Sequence, residues 1–61
     1  MEMSHTVRVN AFDGKAGRPQ WCRENVGVER EDWDYTSVNA TILEYIFLRE
    51  EDAIMFALKW L

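Results

Sequence analysis

The sequence has few of the residues that usually stabilise a small domain covalently or through a metal ion. Its 61 residues include one cysteine, one histidine and one proline. A single cysteine, Cys22, excludes an internal disulfide, and Cys22 and His5 together cannot supply the four ligands of a structural zinc site. A chain this short buries only about 60% of its unfolded surface. We therefore expect a single complete domain, residues 1–61, that has marginal stability and gains from self-association.

Basic residues and long apolar runs are also scarce. Seven Lys and Arg residues stand against eleven Asp and Glu residues, and the net charge of −4 disfavours binding to nucleic acid or to an anionic membrane. No apolar run approaches the roughly 18 residues of a membrane-spanning helix, and the first residues lack the pattern of a secretory signal. These absences predict a cytoplasmic protein with no membrane partner.

Apolar and aromatic residues, in contrast, are abundant. Hydrophobic residues make up 48% of the chain, which is enough to build a core and argues against disorder. The eight aromatic residues are Phe12, Trp21, Trp33, Tyr35, Tyr45, Phe47, Phe56 and Trp60. So many large rings in so short a chain exceed what one small core can hide, which indicates an interaction surface.

The first half of the chain predicts a strand and a short helix. Residues 5–12 alternate between apolar and polar side chains, the period of a half-buried strand. Pro19 fits the first turn of a helix and Gly27 the position just after a helix end, so a helix is predicted over residues 20–26. The side chains expected to face the core from this helix are those of Trp21, Cys22 and Val26.

The second half predicts a hairpin and a longer helix. Residues 33–37 alternate, and residues 41–48 are apolar on both faces apart from Glu44, which is typical of a central strand. In residues 49–61 the apolar period becomes helical, with an acidic first turn and Lys59 near the end. The core stripe of this helix is expected to be Ala53, Phe56, Ala57 and Trp60, widened by Ile54, Met55, Leu58 and Leu61.

The predicted order is β-α-β-β-α, an α+β fold with a three-stranded antiparallel sheet and two helices on one face. This order resembles a ferredoxin-like fold that lacks its last strand. The pair Trp21-Cys22, the segment 33–35 (Trp-Asp-Tyr) and above all the closing segment 47–60 are similar to those of short uncharacterised bacteriophage proteins. In the closing segment a strand bearing a phenylalanine leads through an acidic turn to a helix of the form Asp-Ala-x-x-Phe-x-Leu-x-Trp. That resemblance implies a viral origin, and hence the host cytoplasm, but no particular activity.

Few side chains offer chemistry. Cys22 and His5 are the only candidates for a nucleophile and a base, and a cysteine beside Trp21 on a short helix is more often a small buried apolar residue. The acidic set Glu29, Glu31, Asp32 and Asp34 lacks the pattern of a calcium loop and is better explained as a solvated connection. We therefore predict no enzyme, no catalytic residue, no metal site and no cofactor.

Two functions remain as hypotheses. The first is a non-enzymatic protein-binding module, a phage factor that engages a host protein or pairs with a second copy of itself. Its predicted contact residues are Trp33, Tyr35, Trp60 and Leu61. The alternative is binding of single-stranded nucleic acid by aromatic residues on an open sheet face.

Overall fold

The computed structural model describes residues 3–61 and has the predicted α+β architecture. Its elements are β1 (His5–Asn10), α1 (Arg18–Asn25), β2 (Trp33–Ser37), β3 (Ile42–Phe47) and α2 (Glu50–Trp60). The strands form one sheet in the order β1-β3-β2, with both pairs antiparallel. The strand predicted to be central, β3, lies in the centre.

The ends of the strands are set by asparagine side chains. Asn10 Oδ1 accepts a hydrogen bond from the Phe12 main-chain N–H at 2.8 Å, so β1 turns away two residues before its predicted end. In the β2–β3 turn, Asn39 Oδ1 accepts from the N–H groups of Thr41 and Ile42 at 2.8 and 3.0 Å. Both turns use the tendency of asparagine to bond main-chain groups a few residues ahead.

The register divides the sheet into a covered face and an open face. Val7 and Trp33 lie beside Tyr45 and Phe47 of β3, on the face covered by both helices. The open face consists of Thr6, Arg8, Asn10, Asp34, Thr36, Ile42, Glu44 and Ile46. Alternation along each strand therefore directs all four of the large aromatic rings of the sheet to the covered face.

The core is an aromatic cluster around Phe56 of α2. The ring centroid of Phe56 lies 4.7 Å from that of Tyr45, 5.2 Å from that of Phe47 and 6.0 Å from that of Trp21. Cys22 is buried in the same cluster, as the apolar interpretation of this residue predicts. Offset and edge-on ring contacts of this kind add to the free energy gained from burial.

Helix α1 begins two residues earlier than predicted. Gly17 takes a left-handed conformation, φ 91°, and its carbonyl accepts the first helical hydrogen bond from Trp21. Arg18 is consequently buried, where its guanidinium pairs with Asp13 and lies 5.3 Å from the ring centroid of Trp60. The predicted core residues Trp21, Cys22 and Val26 do face the core.

The Arg49 side chain connects the start of α2 to the loop after α1 through polar contacts. Its guanidinium contacts Asp52 at 2.9 Å and Asp32 at 3.4 Å, and it approaches the Val26 carbonyl at 3.5 Å. Asp32 in turn accepts from the Val28 N–H at 2.8 Å. The charged connection that the sequence places in solvent therefore holds the two helices together at this end.

The longest helix, α2, has eleven residues. A membrane-spanning helix needs roughly 18 or more mostly apolar residues, and neither helix of residues 3–61 meets that requirement.

Candidate protein-interaction surface

Trp33, one of the predicted contact residues, is not on the surface. Its side chain has no exposed area, because the register places it opposite Phe47 on the covered face. Its indole Nε1 donates to the Gly27 carbonyl at 3.0 Å, so even the polar end of the ring is satisfied inside. The fold therefore leaves Trp33 no exposed area through which it could contact a partner.

The structure places the other predicted contact residues in different surroundings. Tyr35 lies at the β2 edge, 38% exposed, with its ring stacked on Tyr45 at 5.3 Å. Trp60 is half-buried beside Trp21, with a centroid distance of 6.4 Å. Leu61 is 73% exposed at the end of α2. The four residues therefore form no single patch, and Leu61 is the one that is mostly exposed.

The sheet offers no aromatic platform for nucleic acid. Tyr45 and Phe47 are fully buried under the helices. The open face carries instead an ion pair between Arg8 Nε and Glu44 Oε2 at 3.0 Å, and Asp34 on β2. Strand alternation directs the rings of Tyr45 and Phe47 to the core, and the open face within residues 3–61 carries no aromatic side chain.

The most exposed apolar side chains of α2 and of the residue that follows it form a second stripe. Ile54, Leu58 and Leu61 are 52%, 82% and 73% exposed, and we call these three residues the α2 outer stripe. Their spacing of four and three residues places them on one face of the helix. Ile54 and Leu58 each lie two residues from buried Phe56, a rotation of about 200° around the helix axis. The stripe is therefore on the side of α2 opposite to the core.

The α2 outer stripe corrects a sequence-based expectation. Ile54, Met55, Leu58 and Leu61 were expected to widen the core stripe, but all four are exposed. The sequence already indicated that some of these residues could be exposed. A helix with apolar residues on all sides leaves one apolar face exposed unless a second element covers it. The sheet is wide enough to cover only one of them.

Cys22, one of the two candidate reactive residues, is part of the core. Cys22 is buried, and desolvation raises the pKa of its thiol to about 12 despite the nearby charge of Arg23. Its thiol therefore stays protonated near neutral pH, which is unfavourable for a nucleophile. Desolvation likewise raises the pKa of Tyr45 to about 12.

Three acidic residues in β2 and in the loop before it contact separate partners. Asp32 contacts Arg49, Glu29 pairs with Arg23 at 3.5 Å, and Asp34 accepts from the Tyr35 N–H at 2.8 Å. Within the described ranges, no group of three or more potential metal ligands is present, and no pocket is formed.

Comparison of the chain with protein-family models, with curated proteins and with solved structures found no match. The assignment of function therefore depends on the surface of the molecule itself.

Proposed function

We propose that the chain is a small non-enzymatic protein-binding module and that its contact surface is the α2 outer stripe, Ile54, Leu58 and Leu61. The observation that carries the proposal is that these three side chains are exposed on one side of a helix whose opposite side is anchored in the core. Contiguous exposed apolar groups on a rigid element are typical of protein contact sites.

The energy available at this surface is large for so small a protein. The exposed fractions of the three side chains together equal about two fully exposed leucines. Burying them completely is worth about 3–6 kcal/mol at the usual 1.5–3 kcal/mol for each side chain. This is comparable to the total stability of about 3–9 kcal/mol expected for a chain of this length. A partner that covers the stripe therefore gains substantial binding energy.

The partner is a protein because the surface is convex, apolar and helical. A helix face with anchors at positions i, i+4 and i+7 fits an apolar groove or another helix. Charged residues flank the stripe, with Glu51 near its start and Lys59 near its end. They supply the polar rim that protein interfaces usually have. The resemblance to bacteriophage proteins stays a prediction and carries no part of the proposal.

The proposal is tested by photocrosslinking in the cells that make the protein. A photoreactive phenylalanine analogue replaces Leu58 in one variant and Glu24, an exposed residue of α1, in the matched control. We expect a covalent adduct with a protein from position 58 and none from position 24. If position 58 gave no adduct, or both positions gave the same set of adducts, the α2 outer stripe would not be the contact surface.

A further inference from the structure

We infer that the outer edge of β1 pairs with the same edge of a second copy of this chain, so that two three-stranded sheets join into one antiparallel sheet. This edge is a surface separate from the α2 outer stripe, because it consists of main-chain groups of a strand and not of side chains of the helix. Dimerisation through the β1 edge does not depend on the proposed function of the α2 outer stripe.

The outer edge of β1 directs main-chain groups into solvent. The Ala11 N–H donates to the Thr41 carbonyl at 2.8 Å, so the odd-numbered residues of β1 direct their N–H and C=O groups toward β3. Because this direction alternates along an antiparallel strand, Thr6, Arg8 and Asn10 direct theirs away from the sheet. All three residues are exposed, and no other strand of residues 3–61 lies beside them. Such a row of unpaired groups is a template for another strand.

The opposite edge of the sheet, along β2, is partly covered. The same alternation directs the main-chain groups of Trp33, Tyr35 and Ser37 outward. The Trp33 carbonyl already accepts from the Arg30 N–H at 2.6 Å, and the Tyr35 N–H already donates to Asp34 Oδ1 at 2.8 Å. Pairing of β1 with β2 of the next copy, which would build an open chain of sheets, is therefore disfavoured. Pairing of β1 with β1 around a two-fold axis is the closed alternative.

β1 has little of the protection that edge strands normally have. Proline, bulges and unbalanced charges usually discourage pairing at an edge. β1 contains no proline and pairs with β3 without interruption over its six residues. The charge of Arg8 is balanced by Glu44 of the neighbouring strand, 3.0 Å away. The strand can therefore accept a neighbour along its whole length.

A second copy of β1 fits this edge best in one register. Around a two-fold axis perpendicular to the sheet, the two strands run antiparallel. When the axis passes beside Val7, Thr6 lies opposite Arg8 of the second copy, and both residues direct their main-chain groups across the junction. An axis beside Arg8 would instead set two arginines face to face, which is unfavourable. The charges on β1 therefore select the register centred on Val7.

The side chains also match in this register. Val7, which is half-buried on the covered face, meets Val7 of the second copy at the Cα separation of about 4.5 Å that is typical of a non-hydrogen-bonded pair. On the same face, His5 lies opposite Val9 of the second copy. On the open face, the polar residues Thr6 and Arg8 are neighbours. The covered face and the open face of each sheet therefore continue across the junction.

A folded second copy is a better occupant of the edge than an unstructured peptide. Its β1 is already extended and held by β3, whereas an unstructured segment loses conformational entropy when it becomes a strand. The contact is nevertheless small, because a six-residue strand is only about 20 Å long. Interfaces below the standard size are typical of weak association, and we expect a dissociation constant on the order of 0.1 mM.

The first test is the solution mass of the purified chain, measured by sedimentation equilibrium from micromolar to millimolar concentration. The buffer contains 0.15 M salt, which screens the repulsion between two chains of net charge −4 beyond about 8 Å. We expect the mass to rise from 7.2 kDa toward twice that value.

The second test blocks the edge without changing any side chain. The chain is made by chemical synthesis with a methyl group on the main-chain nitrogen of Arg8, which points away from β3. We expect dimerisation to weaken about tenfold or more, because each dimer loses the Arg8 hydrogen bond twice. The matched control carries the methyl group on the nitrogen of Ser37, which points outward from β2, and is expected to dimerise as the unmodified chain does. NMR spectra of both proteins check that they are folded.

The third test is amide hydrogen exchange of the unmodified chain, followed by NMR at low and high concentration. The N–H groups of Thr6 and Arg8 are expected to exchange about fivefold more slowly at millimolar concentration, where most of the chain is dimeric. The N–H of Ser37 is the internal control and is expected to exchange at the same rate throughout.

The outcomes separate the β1 dimer from the proposed function. A mass that stays at 7.2 kDa at millimolar concentration, or an Arg8 N–H that exchanges at the same rate at all concentrations, overturns the dimer. Leu58→Glu is expected to leave the dimer intact. A dimer that is lost in Leu58→Glu but kept when the Arg8 nitrogen is methylated would assign self-association to the α2 outer stripe and overturn pairing at β1. If position 58 crosslinked to nothing while the β1 dimer formed, only the proposed function would fail.

Discussion

The buried thiol of Cys22 predicts that the protein loses stability in mildly alkaline solution. The pKa of this thiol is raised from an ordinary value of 9.0 to about 12, chiefly by desolvation. The folded chain therefore keeps its proton at a pH where the unfolded chain releases it. The stabilising contribution of the protonated thiol is complete below pH 9 and decreases as the pH rises toward 12.

The size of the effect follows from the same two values. Above the pKa of the unfolded chain, the free energy of unfolding falls by about 1.4 kcal/mol for each pH unit. Between pH 8 and pH 10 the loss is about 1.4 kcal/mol, because half of this interval lies below pH 9. Tyr45, whose pKa is raised from 10.0 to about 12, adds only about 0.4 kcal/mol to the loss by pH 10. The window from pH 8 to pH 10 therefore reports mainly on Cys22.

The assay is urea unfolding at fixed protein concentration, followed by tryptophan fluorescence in the presence of a reductant. Cys22→Ala is the comparison, since it lowers stability at every pH by removing packing but has no thiol to ionise. We expect the unmodified chain to lose about 1.4 kcal/mol more than Cys22→Ala between pH 8 and pH 10. Equal losses in the two proteins would show that the thiol is not held protonated by the fold.

Two further substitutions test the core and the loop after α1. Gly27→Ala is expected to cost about 2–4 kcal/mol, since a Cβ there would overlap the carboxylate of Asp32 and the φ of 149° is strained for alanine. Gly14→Ala is the control for backbone strain alone, because Gly14 has a φ of 80° but no atom lies within 4 Å of an added Cβ. Equal losses in the free energy of unfolding, measured by urea denaturation of the two variants, would refute the steric explanation. Phe56→Ala is expected to remove about 3–5 kcal/mol and most native structure, because the ring is fully buried at the centre of the core. The control is Leu58→Ala, at an exposed position, which should change the free energy of unfolding by less than about 0.5 kcal/mol. If the NMR spectra of Phe56→Ala and Leu58→Ala showed the same chemical-shift dispersion, this placement of the core would be contradicted.

Most of the fold could be predicted from local patterns in the sequence. The alternation at Val7 and Val9, the positions of Pro19 and Gly27, and the helical period after Arg49 gave all five elements and their order. The boundaries were less accurate because caps and turns decide them. Gly17, in a left-handed conformation, moved the start of α1, and the Asn10 side chain ended β1 early.

The candidate surface was predicted less well. Leu61 was assigned both to the widened apolar stripe of α2 and to the contact residues, and it is exposed, whereas Trp33 was expected at a contact surface and lies in the core. Aromatic content indicates how much apolar area a chain has to hide, but not which rings the helices cover. That depends on the register between β2 and β3, which pairs Trp33 with Phe47.

The sequence by itself determined the element order, the central position of β3 and which residues of each helix share a face. These features depend on local periodicity. Only the tertiary structure decided that the residues expected to widen the core stripe of α2, Ile54, Leu58 and Leu61, stay exposed. Both stripes have helical spacing, and the choice depends on contacts of Phe56 and Trp60 with residues far away in the chain, such as Trp21 and Tyr45. Because a three-stranded sheet can cover one side of a helix and not both, the stripe of Ile54, Leu58 and Leu61 was left at the surface.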